Sequence, residues 1–216
     1  MIIGITGLIA SGKDTMANYL TTFYGFKKVS FAANLKDAIA VIFNWDRELL
    51  EGSTKTSREW RERIDPWWAA RLNIPNLTPR WILQYWGTEV CRRNFHDDIW
   101  VASLENKLLR TSEDIVITDC RFPNELTAIR NIGGITVRVL RGPNPIWYDD
   151  AIELTNNPQH HHLRIKLEAL GIHASEYSSV GLEYDHYITN DSTIDDLHTK
   201  LQDIVNNQPQ DHRVPI

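Results

Sequence analysis

The sequence has little of three things: cysteine, long apolar runs and excess positive charge. Its two cysteines, Cys91 and Cys120, form no CxxC pair and provide no disulfide framework, which fits a reducing compartment. No apolar run is long enough to span a bilayer, and the opening MIIGITG lacks the basic and long apolar regions of a secretory signal. The formal net charge of −5 argues against broad binding to nucleic acid. We therefore expect a cytoplasmic protein with neither a membrane nor a nucleic-acid partner.

Short apolar strands alternate with helical patterns along the 216 residues. The predicted strands are MIIGIT, KKVSF, DIVITD, ITVRVL and HYIT. Alternation of this kind favours right-handed crossovers and a parallel sheet. The expected fold class is α/β, a three-layer α/β/α sandwich on a five-stranded parallel sheet, with the whole chain, 1–216, forming one domain.

The predicted helix boundaries rest on capping residues. Gly25 ends the first helix, and Asn34 is the expected N-cap of the second. A later helix begins at Thr78, with Pro79 in its first position, and runs through RWILQYWGTEVCRR. Ser192 is the expected cap of the last helix.

Two polar excursions, 46–77 and 142–183, interrupt this pattern, and a polar tail, 206–216, is expected to be disordered. Five tryptophans are clustered in and after the first excursion: Trp60, Trp67, Trp68, Trp81 and Trp86. We interpret them as core or hinge packing rather than as a base-stacking surface, because indole buries a large apolar area in any fold.

The stretch GLIASGKDT has the spacing of a phosphate-binding loop, Gly7-x-x-x-x-Gly12-Lys13. It follows a predicted strand and opens a predicted helix, which is the context that this chemistry requires. Backbone N–H groups at the helix start attract an anion, and Lys13 can reach the outer phosphates. The alternative is an ordinary glycine-rich turn with an exposed lysine.

A second candidate site lies in DIVITDCR, where Asp119 follows a buried strand and Arg121 comes two residues later. Ligands of open α/β sheets bind at the carboxyl ends of the strands. Asp119 can hold magnesium through water or orient an acceptor, and Arg121 can bind a phosphate with two hydrogen bonds. The alternative is a helix-capping aspartate beside a surface arginine.

Other charged residues carry less weight. Before any resemblance is considered, arginines such as Arg92, Arg93 and Arg130 are expected on the surface. The histidine run 160–162 does not predict a metal site, because adjacent histidines cannot all face one ion.

Four blocks of sequence, in this order, resemble the deoxynucleoside monophosphate kinases of tailed bacteriophages, a P-loop kinase family that is more loosely similar to dephospho-coenzyme A kinases. The blocks are SGKDT; RWILQYWGTE with NFHDDIW; DCRFPNE with IRNIGG and VRVLRGP; and HASE followed by ITND. The resemblance covers most of the chain. The family also has GKDT in its loop, so the aspartate after the lysine does not contradict a nucleotide-binding role.

The resemblance implies three groups of site residues. Those that would bind ATP are Gly7, Ser11, Gly12, Lys13, Asp14 and Thr15, with Mg²⁺ held by Asp14, Thr15 or both. Those that would bind the acceptor are Arg80, Gln84, Asp119, Arg121 and Glu125. Arg141, His173 and Glu176 would lie on the lid side, with His173 and Glu176 also contacting substrate. Lys13, Asp119, Arg121 and Arg141 would be the catalytic residues.

The resemblance also implies transfer of the ATP γ-phosphoryl group to a deoxynucleoside monophosphate, in a P-loop fold whose segment 46–77 binds the acceptor and whose segment 142–183 forms a lid. The expected partners are small nucleotides, and a homodimer is an open alternative to a monomer. Two other functions stay open at this stage. One is a P-loop kinase for another small acceptor, such as dephospho-coenzyme A. The other is a nucleotide-binding switch or assembly ATPase without a small-molecule acceptor.

Overall fold

A computed structural model of the chain describes residues 1–207, so most of the predicted tail lies outside the described residues. The chain forms two compact units. The first consists of Met1–Ser30 together with the chain from Glu105 onward, and the second is Phe31–Leu104. The excursion 46–77 is thus part of a longer unit, and the roles assigned to both excursions stay predictions.

The first unit contains a five-stranded sheet in the order β2-β3-β1-β4-β5. The strands are β1 Ile2–Thr6, β2 Lys27–Val29, β3 Ile115–Ile117, β4 Ile135–Leu140 and β5 His186–Thr189. Every neighbouring pair is parallel. In the centre of the sheet, Ile3 of β1 aligns with Val116 on one side and Ile135 on the other. All five carboxyl ends therefore lie at one edge of the sheet.

Twelve α-helices accompany these strands in the described part of the chain. They are α1 Lys13–Tyr24, α2 Ala33–Phe43, α3 Arg47–Glu51, α4 Lys55–Arg61, α5 Pro66–Leu72, α6 Pro79–Gln84, α7 Ile99–Leu108, α8 Pro123–Asn131, α9 Tyr148–Asn156, α10 His161–Ala169, α11 Ala174–Tyr177 and α12 Ile194–Asn206. The α/β class, the parallel sheet and its five strands are as predicted.

One face of the sheet is covered by α1 and α12 through apolar side chains. The fully buried members of this core include Ile3, Ile5, Val137, Val139, Leu20 and Leu197. Strand residues alternate between faces, so β1 and β4 each contribute every second residue to this core. Burial of these branched side chains is the main force that holds both helices on the sheet.

The opposite face is more polar. Gly4 of β1 lies under α8, where an added Cβ would come within 2.4 Å of the Ile129 side chain. Further along this face, Thr6, Thr136 and Arg138 are buried. Helices therefore cover both faces of the sheet, but on this side hydrogen bonds replace part of the apolar contact.

The segment 142–183 has a small core of its own, built from α9, α10 and α11. Its buried members are Ala151, Leu154, Leu163, Leu167, Tyr177 and Val180, and Leu8 of the glycine-rich loop packs against them. This contact places the second excursion beside the loop that follows β1.

The second unit is held together by aromatic packing. Its core contains Phe43, Trp45, Leu50 and Leu77, with Trp60, Trp68, Trp81, Trp86 and Trp100 packed against it. The Trp45 indole donates to Asp65 at 2.8 Å and the Trp68 indole to the Phe43 carbonyl at 3.0 Å. The prediction that the tryptophans serve core packing is confirmed for these side chains, although Trp67 is 62% exposed.

The helix that begins after Thr78 changes its winding. Thr78 caps α6 by accepting from the Trp81 N–H at 3.1 Å, as the sequence predicts. From Tyr85 to Arg93 the chain continues as a π-helix. Within it, the carbonyl of the buried Gly87 accepts from the Trp100 indole at 2.9 Å.

Three local predictions are wrong. Ala32, not Asn34, precedes the first turn of α2, and Thr193, not Ser192, caps α12 by accepting from the Asp196 N–H. Arg92, expected on the surface, is 4% exposed and donates to the Asp97 carbonyl at 2.9 Å. Local sequence does not distinguish neighbouring cap candidates, because the fold sets which residue leaves helical geometry. No helix among residues 1–207 has both the length and the apolar character needed to cross a membrane.

Candidate phosphate-binding site

The loop between β1 and α1 needs glycine at two positions. Gly7 has φ +154°, and an added Cβ would lie 2.6 Å from the Val139 carbonyl. Gly12 has φ +111°, and an added Cβ would lie 2.4 Å from Nδ2 of Asn190. Between them, the Ser11 hydroxyl is buried and has no hydrogen-bond partner among residues 1–207. The backbone is therefore compact, and it keeps one buried polar group available for a ligand.

Lys13 folds back over this loop. Its ammonium donates to the carbonyls of Gly7 and Leu8, both at 2.8 Å. Burial, followed by the charge of nearby Arg121, lowers the pKa of Lys13 to about 8, although two nearby carboxylates oppose the shift. In phosphate-binding loops of this spacing the lysine reaches the outer phosphates, and this role of Lys13 stays a prediction.

Two more side chains hold carbonyls of the loop from outside. Arg141 donates to the Ala10 carbonyl at 3.1 Å, and Asn190 donates to the Ser11 carbonyl at 2.8 Å. A peptide whose carbonyl is held on one side presents its N–H on the other. The Asn190 bond thus favours an anion-binding orientation of the Gly12 N–H, whereas the Ser11 N–H donates to the Leu8 carbonyl at 3.2 Å. Arg141 is exposed, and its predicted catalytic role stays a prediction.

The residues that would hold Mg²⁺ lie in the first turn of α1. Asp14 is exposed and pairs with Lys28 of β2 at 2.5 Å, and Thr15 follows it in the helix. A carboxylate and a hydroxyl are hard oxygen donors of the kind that Mg²⁺ prefers, and this ion needs few protein ligands when phosphates supply the others. The two residues fit the metal, and the exposed pair with Lys28 is weak enough to exchange.

Arg121 links the end of β3 to α11. Its Nη1 donates to the Ser175 carbonyl at 3.1 Å and lies 3.4 Å from Oε1 of Glu176. Both helical residues line one pocket with Lys13. The residues that line this pocket are Gly7, Leu8, Ile9, Lys13, Thr118, Cys120, Arg121, Ser175, Glu176 and Ser179. The structure thus brings together the loop, the strand end and the HASE block, which lie far apart in sequence.

Asp119 and Glu125 have structural contacts. Asp119 Oδ2 accepts from the Ser30 hydroxyl at 2.6 Å. Glu125 is 3% exposed and accepts from the backbone N–H groups of Arg121 at 2.7 Å and Phe122 at 3.1 Å. Glu125 therefore stabilises the start of α8, and a contact of either carboxylate with substrate stays a prediction.

The remaining predicted substrate residues lie on different elements of the chain. Nδ1 of His173 accepts from the Ser175 N–H at 3.2 Å and so caps α11. Arg80 and Gln84 lie one turn apart on α6 of the second unit, where Arg80 Nη1 lies 3.3 Å from Glu62. Their assignment to the acceptor stays a prediction.

Sequence reasoning missed Arg138, Ser179 and Asn190. A signal existed for Arg138: it is the one charged residue in the apolar strand ITVRVL, and an arginine in a buried strand requires a reason. Asn190 lies in the ITND block but has no local pattern that indicates its bond to the loop. Ser179 lines the pocket through tertiary structure, beside residues that are distant in sequence, and no local pattern indicates this.

No protein-family model matches the chain. A protein of Acanthamoeba polyphaga mimivirus, whose provisional name is deoxynucleotide monophosphate kinase, is 29% identical over 224 aligned residues that span 97% of this chain and 98% of that protein. The deoxynucleoside-5'-monophosphate kinase of Escherichia phage T5 is 44% identical over 55 residues, 25% of this chain and 22% of that enzyme.

Among solved structures, shikimate kinase from Aquifex aeolicus aligns over 95% of this chain and 96% of that chain, with 10% identity and a TM-score of 0.46, which supports no conclusion about function. The sequence relatives are the informative ones, since one match spans nearly both full lengths. The chain is thus similar to viral proteins named as deoxynucleoside monophosphate kinases, and the resemblance indicated by its four sequence blocks is confirmed.

Proposed function

We propose that the protein transfers the γ-phosphoryl group of ATP to a deoxynucleoside monophosphate and produces the diphosphate. The observation that carries this proposal is the convergence of Lys13, Arg121 and Glu176 on one pocket beside the glycine-rich loop. The similarity to viral proteins named for this activity supports the same acceptor class.

The donor would bind along the loop. The amides between Gly7 and Lys13 would face the phosphates, the Ser11 hydroxyl would gain a partner, and the Lys13 ammonium would move from loop carbonyls to the outer phosphates. Mg²⁺, held from the protein side by Asp14 and Thr15, would neutralise phosphate charge when bound. ATP would thus be the phosphoryl donor and Mg²⁺ the metal cofactor.

The chemical step needs no general base from the protein. An oxygen of the acceptor phosphate, already anionic, attacks the γ-phosphorus, and the bond from that phosphorus to the β–γ bridging oxygen breaks, so that ADP leaves. Catalysis of this kind depends on positioning and on cations around the transferred group. We expect Arg121, which lines the same pocket as Lys13, to supply such a cation.

Arg80, Gln84 and Asp119 would contribute to binding of the acceptor nucleotide. The excursion 46–77 would bind the acceptor and the segment 142–183 would act as a lid. The small nucleotides would be the protein's partners, and the cytoplasm its location.

A coupled assay of ADP release tests the proposal. The acceptors would be the four deoxynucleoside monophosphates, the four ribonucleotides and dephospho-coenzyme A, with ATP alone as the baseline. Release of ADP with deoxynucleotides above all other acceptors is the expected result. Preference for dephospho-coenzyme A would mean that this compound, and not a deoxynucleotide, is the acceptor. Release of ADP without any acceptor would indicate an ATPase.

A further inference from the structure

A positive charge lies inside the first unit, on the strand beside β1. Arg138 is in the middle of β4 and only 2% exposed. It aligns with Thr6, the residue that precedes the phosphate-binding loop. Arginine is almost never buried to this extent unless an opposite charge accompanies it.

Within residues 1–207, every hydrogen bond of the Arg138 side chain goes to an uncharged group. Nη1 donates to the Ser179 carbonyl at 2.9 Å and hydroxyl at 3.1 Å, and it lies 3.4 Å from the Tyr184 hydroxyl. Nη2 lies 3.5 Å from the Tyr148 hydroxyl, and the guanidinium carbon is 5.5 Å from the centre of the Tyr184 ring. No carboxylate within residues 1–207 forms an ion pair with it. In this part of the chain the guanidinium is thus hydrogen-bonded, but no ion pair compensates its charge.

Arg138 also lies close to the phosphate pocket. Ser179, which it holds, lines this pocket together with Lys13 and Arg121. The charge of Arg138 is one of those that lower the pKa of Lys13. Three cations therefore act on the pocket, whereas Glu176 is the one carboxylate among its lining residues.

We propose that the charge that compensates Arg138 is the polyphosphate of the nucleotide at the loop, and that Arg138 is a positioning residue which holds Ser179 and adds positive potential without touching the phosphates. The proposal rests on the proposed function only for the binding of a nucleoside polyphosphate. It does not depend on the acceptor.

The physical reason is the environment of the charge. Between a buried cation and a ligand in a neighbouring pocket there is little water to screen the interaction, so it stays significant over several ångströms. The interaction must grow with the charge of the ligand. A purely structural role would affect nucleotides with two and three phosphates to the same extent.

Isothermal titration with ADP and with the non-hydrolysable ATP analogue AMP-PNP tests this dependence. Arg138→Gln keeps a donor for Ser179 but removes the charge. Arg138→Lys keeps the charge but loses the paired N–H donors of the planar guanidinium. We expect the Gln variant to lose about tenfold in affinity for AMP-PNP and clearly less for ADP. The Lys variant should stay within about threefold of the wild type for both ligands.

Arg130→Gln is the matched control, because Arg130 lies on the surface of α8 and pairs with Asp185 at 3.5 Å. It should lower the melting temperature without changing either affinity. If Arg138→Gln binds AMP-PNP as tightly as the wild type, or if the Gln and Lys variants lose affinity equally for both nucleotides, the proposal is wrong.

Arg138→Met is a second uncharged variant. If both uncharged variants fail to fold while Arg138→Lys folds, the charge stabilises the ligand-free protein, which contradicts the proposal. The panel of acceptors described above separates these outcomes from a wrong acceptor, because neither titration contains one.

Discussion

Arg121 Nη1 lies 3.4 Å from Oε1 of Glu176, so the cation that we propose for substrate phosphate faces a carboxylate. The two residues are far apart in sequence and meet only because β3 ends where α11 begins. Both contacts of the guanidinium with α11 use Nη1. The pair therefore keeps Arg121 oriented before substrate binds.

Arg121→Ala should reduce kcat/KM for the monophosphate more than it reduces affinity for ATP. Loss of a charge-assisted phosphate contact costs about 2–4 kcal/mol of transition-state stabilisation. Steady-state kinetics with each substrate varied in turn would measure the split. Arg110→Ala, which removes an exposed arginine in the turn after α7, is the control. An unchanged kcat/KM for the acceptor would leave Arg121 as a structural link to α11.

Lys13→Ala should abolish phosphoryl transfer and leave the fold intact. The ammonium would be lost from the outer phosphates, where removal of one such group lowers kcat by about two to three orders of magnitude. ADP release measures the activity, and circular dichroism verifies the fold. Lys166→Ala is the matched control, because it removes a lysine whose ion pair with Asp150 joins α10 to α9. Turnover of Lys13→Ala near the wild-type rate would refute the assignment of the loop.

Asp14→Asn should raise the Mg²⁺ concentration needed for half-maximal activity, because the amide keeps the shape but holds the ion less firmly. Excess Mg²⁺ should restore part of the activity by mass action. Asp14→Ser, which places the usual hydroxyl after the lysine, should retain more activity than Asn. Titration of Mg²⁺ against each variant measures this.

Lys28→Met should change the Mg²⁺ requirement in the opposite direction in the same titration. Its ammonium pairs with Asp14 at 2.5 Å, so its removal should lower the Mg²⁺ requirement if that carboxylate binds the ion. Coincident curves for wild type and Asp14→Asn would remove Asp14 from the metal site. Thr15 would then be the better candidate.

Asp185→Ala should destabilise the fold in a pH-dependent manner. Burial alone would raise the pKa of Asp185, but hydrogen bonds from Thr136, at 2.6 and 2.7 Å, and the charge of Arg130 lower it below its ordinary value of 3.8. A carboxyl group with a lowered folded pKa stabilises the protein above its ordinary pKa, and the contribution is lost as the pH falls through the folded pKa.

Urea unfolding of wild type and Asp185→Ala would test this sign. Near neutral pH the variant should lose about 1–2 kcal/mol, and the difference should shrink as the pH is lowered below 3.8. Asp203→Ala, which removes an exposed carboxylate on α12, is the control. A difference that is constant with pH would mean that the lost contacts do not depend on the charge.

Local residue patterns were sufficient for the elements of the sheet and for the loop. Branched apolar runs specify β1 and β4, and the spacing of Gly7, Gly12 and Lys13 specifies the turn between a strand and a helix, because these features depend on neighbours in sequence. The wrong caps at Asn34 and Ser192 have the same origin, since several residues near a helix start can cap it and only the packed backbone selects one.

The sequence by itself determined the α/β class, the parallel sheet, the position of the loop and the resemblance to nucleotide kinases. Tertiary structure alone decided that Arg121 meets Glu176, that Asn190 holds the loop, and that Arg138 is buried with no ion-pair partner among residues 1–207. These contacts join residues separated by tens of positions or more, and their energies depend on distance and local dielectric rather than on order along the chain.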